Sequence, residues 1–321
     1  PNGRDWPDVE KKSPIPSDDG TTTAPPLAEP ETIKGITILF DFPDQQSSVT
    51  RQGMENLMNQ VGYAQGRNNG SVRDYYHEVS NGRITYLNEV SDFVRSNNPK
   101  SSYDNGSVTY NSPSGKQLIH ALLKEVLQKA VQSGSVDISQ LSTDRNGYVR
   151  GVNFFYAGSP TAGWSYGLWP HQWQFDQAVD IGGGKRVLRY QMTNIGNTPT
   201  IGTVVHENGH LLFAWPDLYH YNGETNGAGD YCVMSTSATT NPVYPNPYFR
   251  LLQGWVDTVD FAGHTKGRTY TLHDTSTTLY AYSGRTKGST KELFLFEVKH
   301  QSGRNSKLPD GGLAIWHIDQ N

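Results

Sequence analysis

The sequence predicts an α+β protein, in which a mixed sheet with packed helices is followed by a small antiparallel β part. Three observations predict this fold class. An apolar, β-branched run over residues 35–42 is typical of a buried strand. Apolar residues at helical spacing over residues 115–132 predict an amphipathic helix. After Trp255 the pattern changes to short alternating runs, which favour antiparallel strands.

The remaining elements are predicted in chain order from periodicity and from turn residues. Further helices are expected over residues 51–61, 72–80, 202–212 and 247–254. Further strands are expected over residues 83–93, 149–157 and 186–193, and in the tail over 268–273, 278–283, 292–298 and 311–318. Residues 1–32 are rich in Pro, Ser, Thr and Asp and are interpreted as an extended arm. The expected domains are therefore this arm, a domain over 33–255 and a β subdomain over 256–321.

Composition excludes several classes of protein. The 321 residues carry a formal net charge of −4 and no long basic run, which argues against nucleic-acid or anionic-membrane partners. No apolar run approaches the roughly 20 residues that a membrane span requires. The single Cys232 excludes an intramolecular disulfide. Many Tyr, Asn, Gly and Thr residues and a start at Pro1 favour a processed, secreted protein, and a monomer is expected.

One segment carries the pattern H-E-x-x-H, from His206 to His210. On a helix, residues four apart share a face about 5–6 Å apart, so both imidazoles can bind one zinc ion at about 2.0–2.1 Å. Glu207 follows the first histidine and is placed to act as a general base. With ten histidines, composition alone predicts roughly 0.01 such motifs in this chain. The pair His77 and Glu78 lacks the second histidine and is interpreted as a solvated helix face.

A catalytic zinc ion needs a third protein ligand and one open position. The helix is expected to end near Trp215, because Pro216 disfavours helical geometry in the residue before it. Asp217 follows at once and is the predicted third ligand, with His220 as its competitor.

The sequence also suggests roles for several other side chains outside the H-E-x-x-H segment. Cys232 is interpreted as a small buried hydrophobe. Tyr231 and Tyr244 are candidate donors to an oxyanion. His171, between two tryptophans, either lines a cleft or packs as a structural histidine. Met234 lies in a tight turn after the helix, which is similar to the Met-turn of the metzincins.

A longer set of motifs resembles the M6 peptidases, the immune-inhibitor-A family of secreted zinc metalloproteases. Around the helix, the similar segments are His206-Glu207-Asn208-Gly209-His210, Trp215-Pro216-Asp217-Leu218-Tyr219, Gly227-Ala228-Gly229 and Cys232-Val233-Met234-Ser235. Elsewhere they are residues 39–44, 71–76, 155–158, 168–173, 293–298 and 312–319. The resemblance covers residues 33–321.

The resemblance implies a metzincin-like zinc-protease catalytic domain with a mixed sheet and an active-site helix. It also implies zinc bound by His206, His210 and Asp217, with Glu207 as the catalytic glutamate and structural calcium as an added cofactor. The chain departs from the family pattern at Phe213, which replaces a glycine, and Asp217 lies one residue further along.

The expected function is therefore hydrolysis of peptide bonds in polypeptide substrates. Such substrates pair with the edge of a sheet, and residues 186–193 are a candidate edge strand. The sequence is also compatible with two other functions. The aromatic β tail is compatible with a carbohydrate- or surface-binding module, and the 1–32 arm with an occluded pseudoprotease.

Overall fold

The computed structural model of the protein describes residues 27–163, 165–221, 223–236, 239–260, 267, 269, 271–272, 278–282 and 292–319. These residues form two compact units. The sheet unit comprises residues 32–75 and 85–214, and the C-terminal unit comprises residues 27–31, 76–84 and those from 215 onwards. Most of the predicted 1–32 arm and of the predicted strand over 268–273 lies outside the described residues.

A five-stranded sheet forms the centre of the sheet unit. Its strands are β1 (Glu31–Asp41), β2 (Ile84–Arg95), β3 (Val152–Tyr156), β4 (His171–Gly182) and β5 (Lys185–Asn194). Their spatial order is β2-β1-β3-β5-β4. The pairs β1–β3 and β3–β5 are parallel, whereas β4 runs antiparallel to β5. The mixed α+β architecture of the prediction is therefore present.

The position of β5 corrects one prediction. Residues 186–193 were expected at a sheet edge, but β5 lies between β3 and β4. Strand β4 was not predicted from the sequence, because its polar residues and a register shift after Gln174 interrupt the alternation of apolar residues. β5 is therefore not an edge strand, because β4, which has no clear sequence pattern, pairs with it on the outer side.

Four helices belong wholly or partly to the sheet unit: α1 (Arg51–Asn59), α2 (Val72–Val79), α3 (Pro113–Gln132) and α4 (Ile201–Phe213). Helix α3 begins where the Ser112 hydroxyl accepts a hydrogen bond from the N–H of Gly115. Its apolar face shares one core cluster with Ile36 and Phe40 of β1 and Phe154 of β3. The apolar spacing over residues 115–132 predicts Leu118 as a member of this stripe, but it is 36% exposed, because it lies about 100° around the helix from the buried Ile119.

His120 is a buried polar residue on the core face of α3. Its ring packs edge-on against Phe175 and Tyr190, at centroid distances of 5.2 and 6.0 Å. Burial lowers the pKa of His120 from 6.5 to about 4, although the nearby Asp176 carboxylate opposes the shift. His120 is therefore neutral in the folded protein near pH 7.

We expect this histidine to make stability fall in acid. Between pH 6.5 and 4 the unfolded chain binds a proton that the folded chain does not, so the free energy of unfolding should fall by at most about 3 kcal/mol over that window. Urea unfolding of the metal-free protein between pH 4 and 7.5 measures this change. His120→Leu should remove it, whereas replacing the exposed His77 by Gln should not. Parallel profiles for wild type and His120→Leu would contradict the assignment.

The C-terminal unit contains helix α5 (Pro247–Leu252) and a four-stranded sheet. The strands β6 (Asp257–Asp260), β7 (Thr278–Tyr282), β8 (Glu292–Lys299) and β9 (Gly312–Asp319) lie in chain order. The pairs β7–β8 and β8–β9 are antiparallel, as predicted, but β6 was not predicted and pairs in parallel with β7. Leu251, Val256 and Leu295 form a small core cluster between α5 and this sheet.

The compact units divide the chain at residue 214. The expected domain limits, residues 33–255 and 256–321, stay a prediction. Within the described ranges, no helix combines the length and the apolar character needed to cross a bilayer.

Candidate metal centre

The first turn of α4 is held by a side chain from a distant part of the chain. The Thr200 side chain makes no capping hydrogen bond. Instead, Oδ1 of Asn68 accepts from the N–H of Ile201 at 3.0 Å, and Nδ2 of Asn68 donates to the carbonyl oxygen of Pro199 at 3.1 Å. Asn68 is buried. It therefore satisfies a backbone donor that the helix itself leaves without a partner.

Helix α4 ends at Phe213, close to the predicted end near Trp215. Ala214 adopts a left-handed conformation with φ of 54°, and its N–H donates to the carbonyl oxygen of His210 at 3.1 Å. Glycine is favoured at this position because a Cβ atom is strained there. The turn at Ala214 therefore stops the helix shortly after His210.

His206 and His210 present their rings on the same face of α4. Their Nε2 atoms are 3.2 Å apart, and their ring centroids are 4.8 Å apart. Two nitrogen ligands on a tetrahedral zinc ion, each at 2.0–2.1 Å, are separated by about 3.3 Å. Both side chains are half-buried. The pair is thus set at the separation that shared zinc ligation requires.

Glu207 lies next to His206 on α4 and is 8% exposed. Among the described residues, its carboxylate makes no hydrogen bond or ion pair. A carboxylate that is not committed to another side chain can accept and release a proton.

The segment that carries Asp217 is held on both sides of Leu218. The N–H of Leu218 donates to the carbonyl oxygen of Met234 at 2.7 Å, and the carbonyl of Leu218 accepts from the N–H of Ala228 at 2.8 Å. Gly227 permits this approach, because its φ is +57° and a Cβ atom there would lie 1.7 Å from the Leu218 oxygen. The turn predicted around Met234 therefore supports the residue that follows Asp217.

Asp217 forms a group with the two histidines. One ligand atom from each of His206, His210 and Asp217 lies within 4.8 Å of the others, and all three side chains are half-buried. In the described part of the chain this is the one group of three or more His, Cys, Asp or Glu side chains with such spacing. The Asp217 carboxylate also accepts a hydrogen bond from the Tyr221 hydroxyl at 2.5 Å.

The competitor His220 is outside this group. Its Nδ1 atom lies 3.7 Å from the Glu224 carboxylate, and both side chains are exposed. The choice between Asp217 and His220 as a zinc ligand remains a prediction, and the spacing favours Asp217.

Cys232 and Met234 are fully buried in the turn after α4. Burial raises the pKa of the Cys232 thiol to about 12, so the thiol is neutral near pH 7. Its sulfur accepts weak hydrogen bonds from the N–H groups of Met234 and Asn246. This environment agrees with the packing role predicted for Cys232.

The other candidate site residues have partners within their own units. The Tyr231 hydroxyl donates to the Asp310 carboxylate, and the Tyr244 hydroxyl donates to Glu78 at 3.1 Å. Nδ1 of His171 lies 2.6 Å from the Trp169 carbonyl oxygen, and its ring packs against Tyr110. These contacts favour a packing role for His171.

Both residues of the second His-Glu pair are exposed on their helix, as interpreted from the sequence. The Glu78 carboxylate, however, accepts from Nε and Nη2 of the buried Arg304 at 2.8 and 2.6 Å. Burial of the Arg304 guanidinium requires such a partner, so Glu78 has a structural role.

Sequence reasoning missed a row of buried polar side chains beneath α4. Its members lie on four neighbouring strands: Asn88, Thr37, Asn153 and Gln191. The clearest available signal was Asn153, the single polar residue in the otherwise apolar strand Val152–Tyr156. Asn208, inside the H-E-x-x-H segment, is also fully buried and contacts this row.

Comparison of the chain with known families finds no matching family model, and no curated protein shows a significant match. Any argument about function therefore depends on the site itself.

Proposed function

We propose that this protein is a zinc-dependent endopeptidase that hydrolyses peptide bonds in polypeptide substrates. The observation that carries the proposal is the 3.2 Å separation of Nε2 of His206 and Nε2 of His210 on one helix. Asp217 adds an oxygen donor to the same group. We include in the proposal a metzincin-like catalytic domain related to the M6 peptidases.

The chemistry of the donor set fits zinc. Two imidazole nitrogens and one carboxylate oxygen are ligands that zinc accepts, with a fourth position open in catalytic sites. Calcium and magnesium prefer sets made of oxygen atoms alone. The three side chains are half-buried rather than enclosed, which leaves access for water and substrate. When bound, zinc would supply a Lewis acid that polarises a carbonyl group and lowers the pKa of water to about 7.

Glu207 supplies the proton transfer in this proposal. Its carboxylate accepts a proton from the attacking water and then donates that proton to the amine that leaves the cleaved peptide bond. The offset of one residue from His206 keeps Glu207 beside the metal position rather than among the ligands. Its low exposure and lack of an ion pair among the described residues support this role.

The protein substrate, secretion and structural calcium are proposed from motif resemblance. The H-E-x-x-H pattern of a metalloprotease begins at His206. The Met234 turn and the Trp215-Pro216-Asp217 segment extend the likeness to secreted M6 enzymes. Calcium is proposed as a structural ion, without assigned ligands.

Chelation tests this function directly. We expect the purified protein to cleave unfolded casein, and 1,10-phenanthroline to reduce the rate by at least about 100-fold, because the Lewis acid is lost. Stoichiometric zinc should restore the rate. The non-chelating isomer 1,7-phenanthroline is the matched control and should have little effect. Equal cleavage with both isomers, or no cleavage by the zinc-loaded protein, would contradict the proposal.

A further inference from the structure

A row of polar side chains crosses the central sheet on the face that α4 covers. Thr37 of β1 is the register partner of Asn153 on β3, and Asn153 is the register partner of Gln191 on β5. Residues paired across neighbouring strands point to the same face. Ile36 and Ile38, which flank Thr37, belong instead to the core cluster that includes α3. One face of the sheet is therefore apolar, and the other carries a polar row.

Hydrogen bonds join the row into one buried network. Nδ2 of Asn153 lies 2.9 Å from Oδ1 of Asn88, and Nε2 of Gln191 donates to Oδ1 of Asn153 at 2.9 Å. The Thr37 hydroxyl donates to Oδ1 of Asn88 at 3.1 Å. A buried network of this kind favours one arrangement, because moving a member leaves a polar atom without a partner.

The network extends to α4 through Asn208. Nδ2 of Asn208 donates to Oδ1 of Asn153 at 2.9 Å, and the Tyr86 hydroxyl donates to Oδ1 of Asn208 at 3.3 Å. Tyr86 also accepts from Nδ2 of Asn153 at 2.8 Å. The phenol ring fits beside Gly151, where an added Cβ atom would lie 2.5 Å from the Tyr86 oxygen.

The position of Asn208 on the helix connects this network to the histidines. Successive residues turn by about 100°, so residues two before and two after Asn208 lie about 160° from it on either side. These residues are His206 and His210. Asn208 therefore binds the sheet from the helix face opposite the two histidines. A rotation of α4 that moved the imidazoles would also break the hydrogen bonds between Asn208 and the sheet.

We propose that Asn208 and Tyr86 are positioning residues, which set the rotation of α4 about its axis and thereby the direction in which the helix presents the two imidazoles. The inference rests on the proposed zinc function. It assigns no contact of Asn208 or Tyr86 with metal or substrate. Asn68 fixes the first turn of the same helix, so rotation about the helix axis is the movement that Asn208 restrains.

Cobalt substitution provides a readout that a purely structural role would not change. The visible absorption of protein-bound Co²⁺ reports ligand geometry, and competition with a chromophoric chelator measures zinc affinity. Asn208→Leu should weaken zinc binding about 10- to 100-fold, as substitutions of residues that orient metal ligands do. It should also alter the cobalt spectrum. Tyr86→Phe removes one hydrogen bond and should weaken zinc binding about fivefold.

Tyr156→Phe is the matched control. Tyr156 is as buried as Tyr86, but its hydroxyl donates to the Leu168 carbonyl oxygen, away from α4. This variant should lower the thermal midpoint of the metal-free protein and leave the cobalt spectrum and zinc affinity unchanged. Tyr86→Phe also keeps the inference testable if Asn208→Leu does not fold.

The outcomes separate this inference from the proposed function. A wild-type protein that binds no zinc overturns both. A wild-type protein that binds zinc and cleaves casein, together with a Tyr86→Phe variant whose zinc affinity and cobalt spectrum match wild type, overturns the inference alone.

Discussion

Alanine at His206 or at His210 should abolish stoichiometric zinc binding. Each substitution removes one of two nitrogens that lie 3.2 Å apart, and the remaining ligands cannot hold the ion with comparable affinity. We expect zinc content to fall from about one ion per chain to below about 0.1 after dialysis, and casein cleavage to fall to background. Metal analysis by mass spectrometry and chelator competition measure the loss.

Three further alanine variants test the third ligand and provide controls for this result. Asp217→Ala should weaken zinc binding strongly, because it removes the oxygen donor of the group. His220→Ala and His77→Ala should retain zinc, since both residues lie outside the group. Retention of zinc by His206→Ala, or loss of zinc by His220→Ala with retention by Asp217→Ala, would contradict the assigned ligand set.

Glu207→Gln should separate catalysis from metal binding. Glutamine has the size of glutamate but cannot accept and return a proton, so kcat should fall by about 10²–10⁴-fold. Zinc affinity and the cobalt spectrum should change little, because the proposal places Glu207 beside the metal and not among its ligands. The measurements are casein cleavage under saturating zinc and zinc titration of the same preparation.

Glu55→Gln, in helix α1, is a suitable control for the removal of a carboxylate. It should retain both zinc binding and the cleavage rate. Full activity of Glu207→Gln would remove the assigned general base, and loss of zinc by this variant would make Glu207 a ligand.

The parts of the fold with strong periodicity could be predicted from sequence. The predicted helix over residues 202–212 corresponds to Ile201–Phe213, and the predicted strand over 186–193 corresponds to Lys185–Asn194. The apolar stripe that predicts α3 is also the surface that packs on β1. In these elements, the spacing of apolar residues in the sequence matches the face that is buried in the fold.

Strand β4 and the parallel pairing of β6 could not be predicted in this way. The partly exposed residues of β4 interrupt its alternation, and its role depends on pairing with β5. Strand β6 is four residues long, and its direction relative to β7 is set by a distant pairing. Pairing between distant segments has no signature in the local order of apolar residues.

In the candidate site, too, some features could be predicted from the sequence and others could not. The spacing of His206 and His210 predicted a shared face, because helix geometry alone places residues four apart together. The support from Asn68, Asn153 and Tyr86 depends on the tertiary fold, so the motif did not reveal it. The middle of the H-E-x-x-H pattern is conventionally unspecified, yet Asn208 occupies it with a buried side chain that contacts the sheet.

X-ray absorption at the zinc edge tests the central claim most directly. For the zinc-loaded wild type, we expect two imidazole ligands at about 2.0–2.1 Å, oxygen donors in the remaining positions and no sulfur. His206→Ala or His210→Ala should remove the two-imidazole signature. A shell that contains sulfur, or one without two imidazoles, would contradict a zinc site built on the paired histidines of α4.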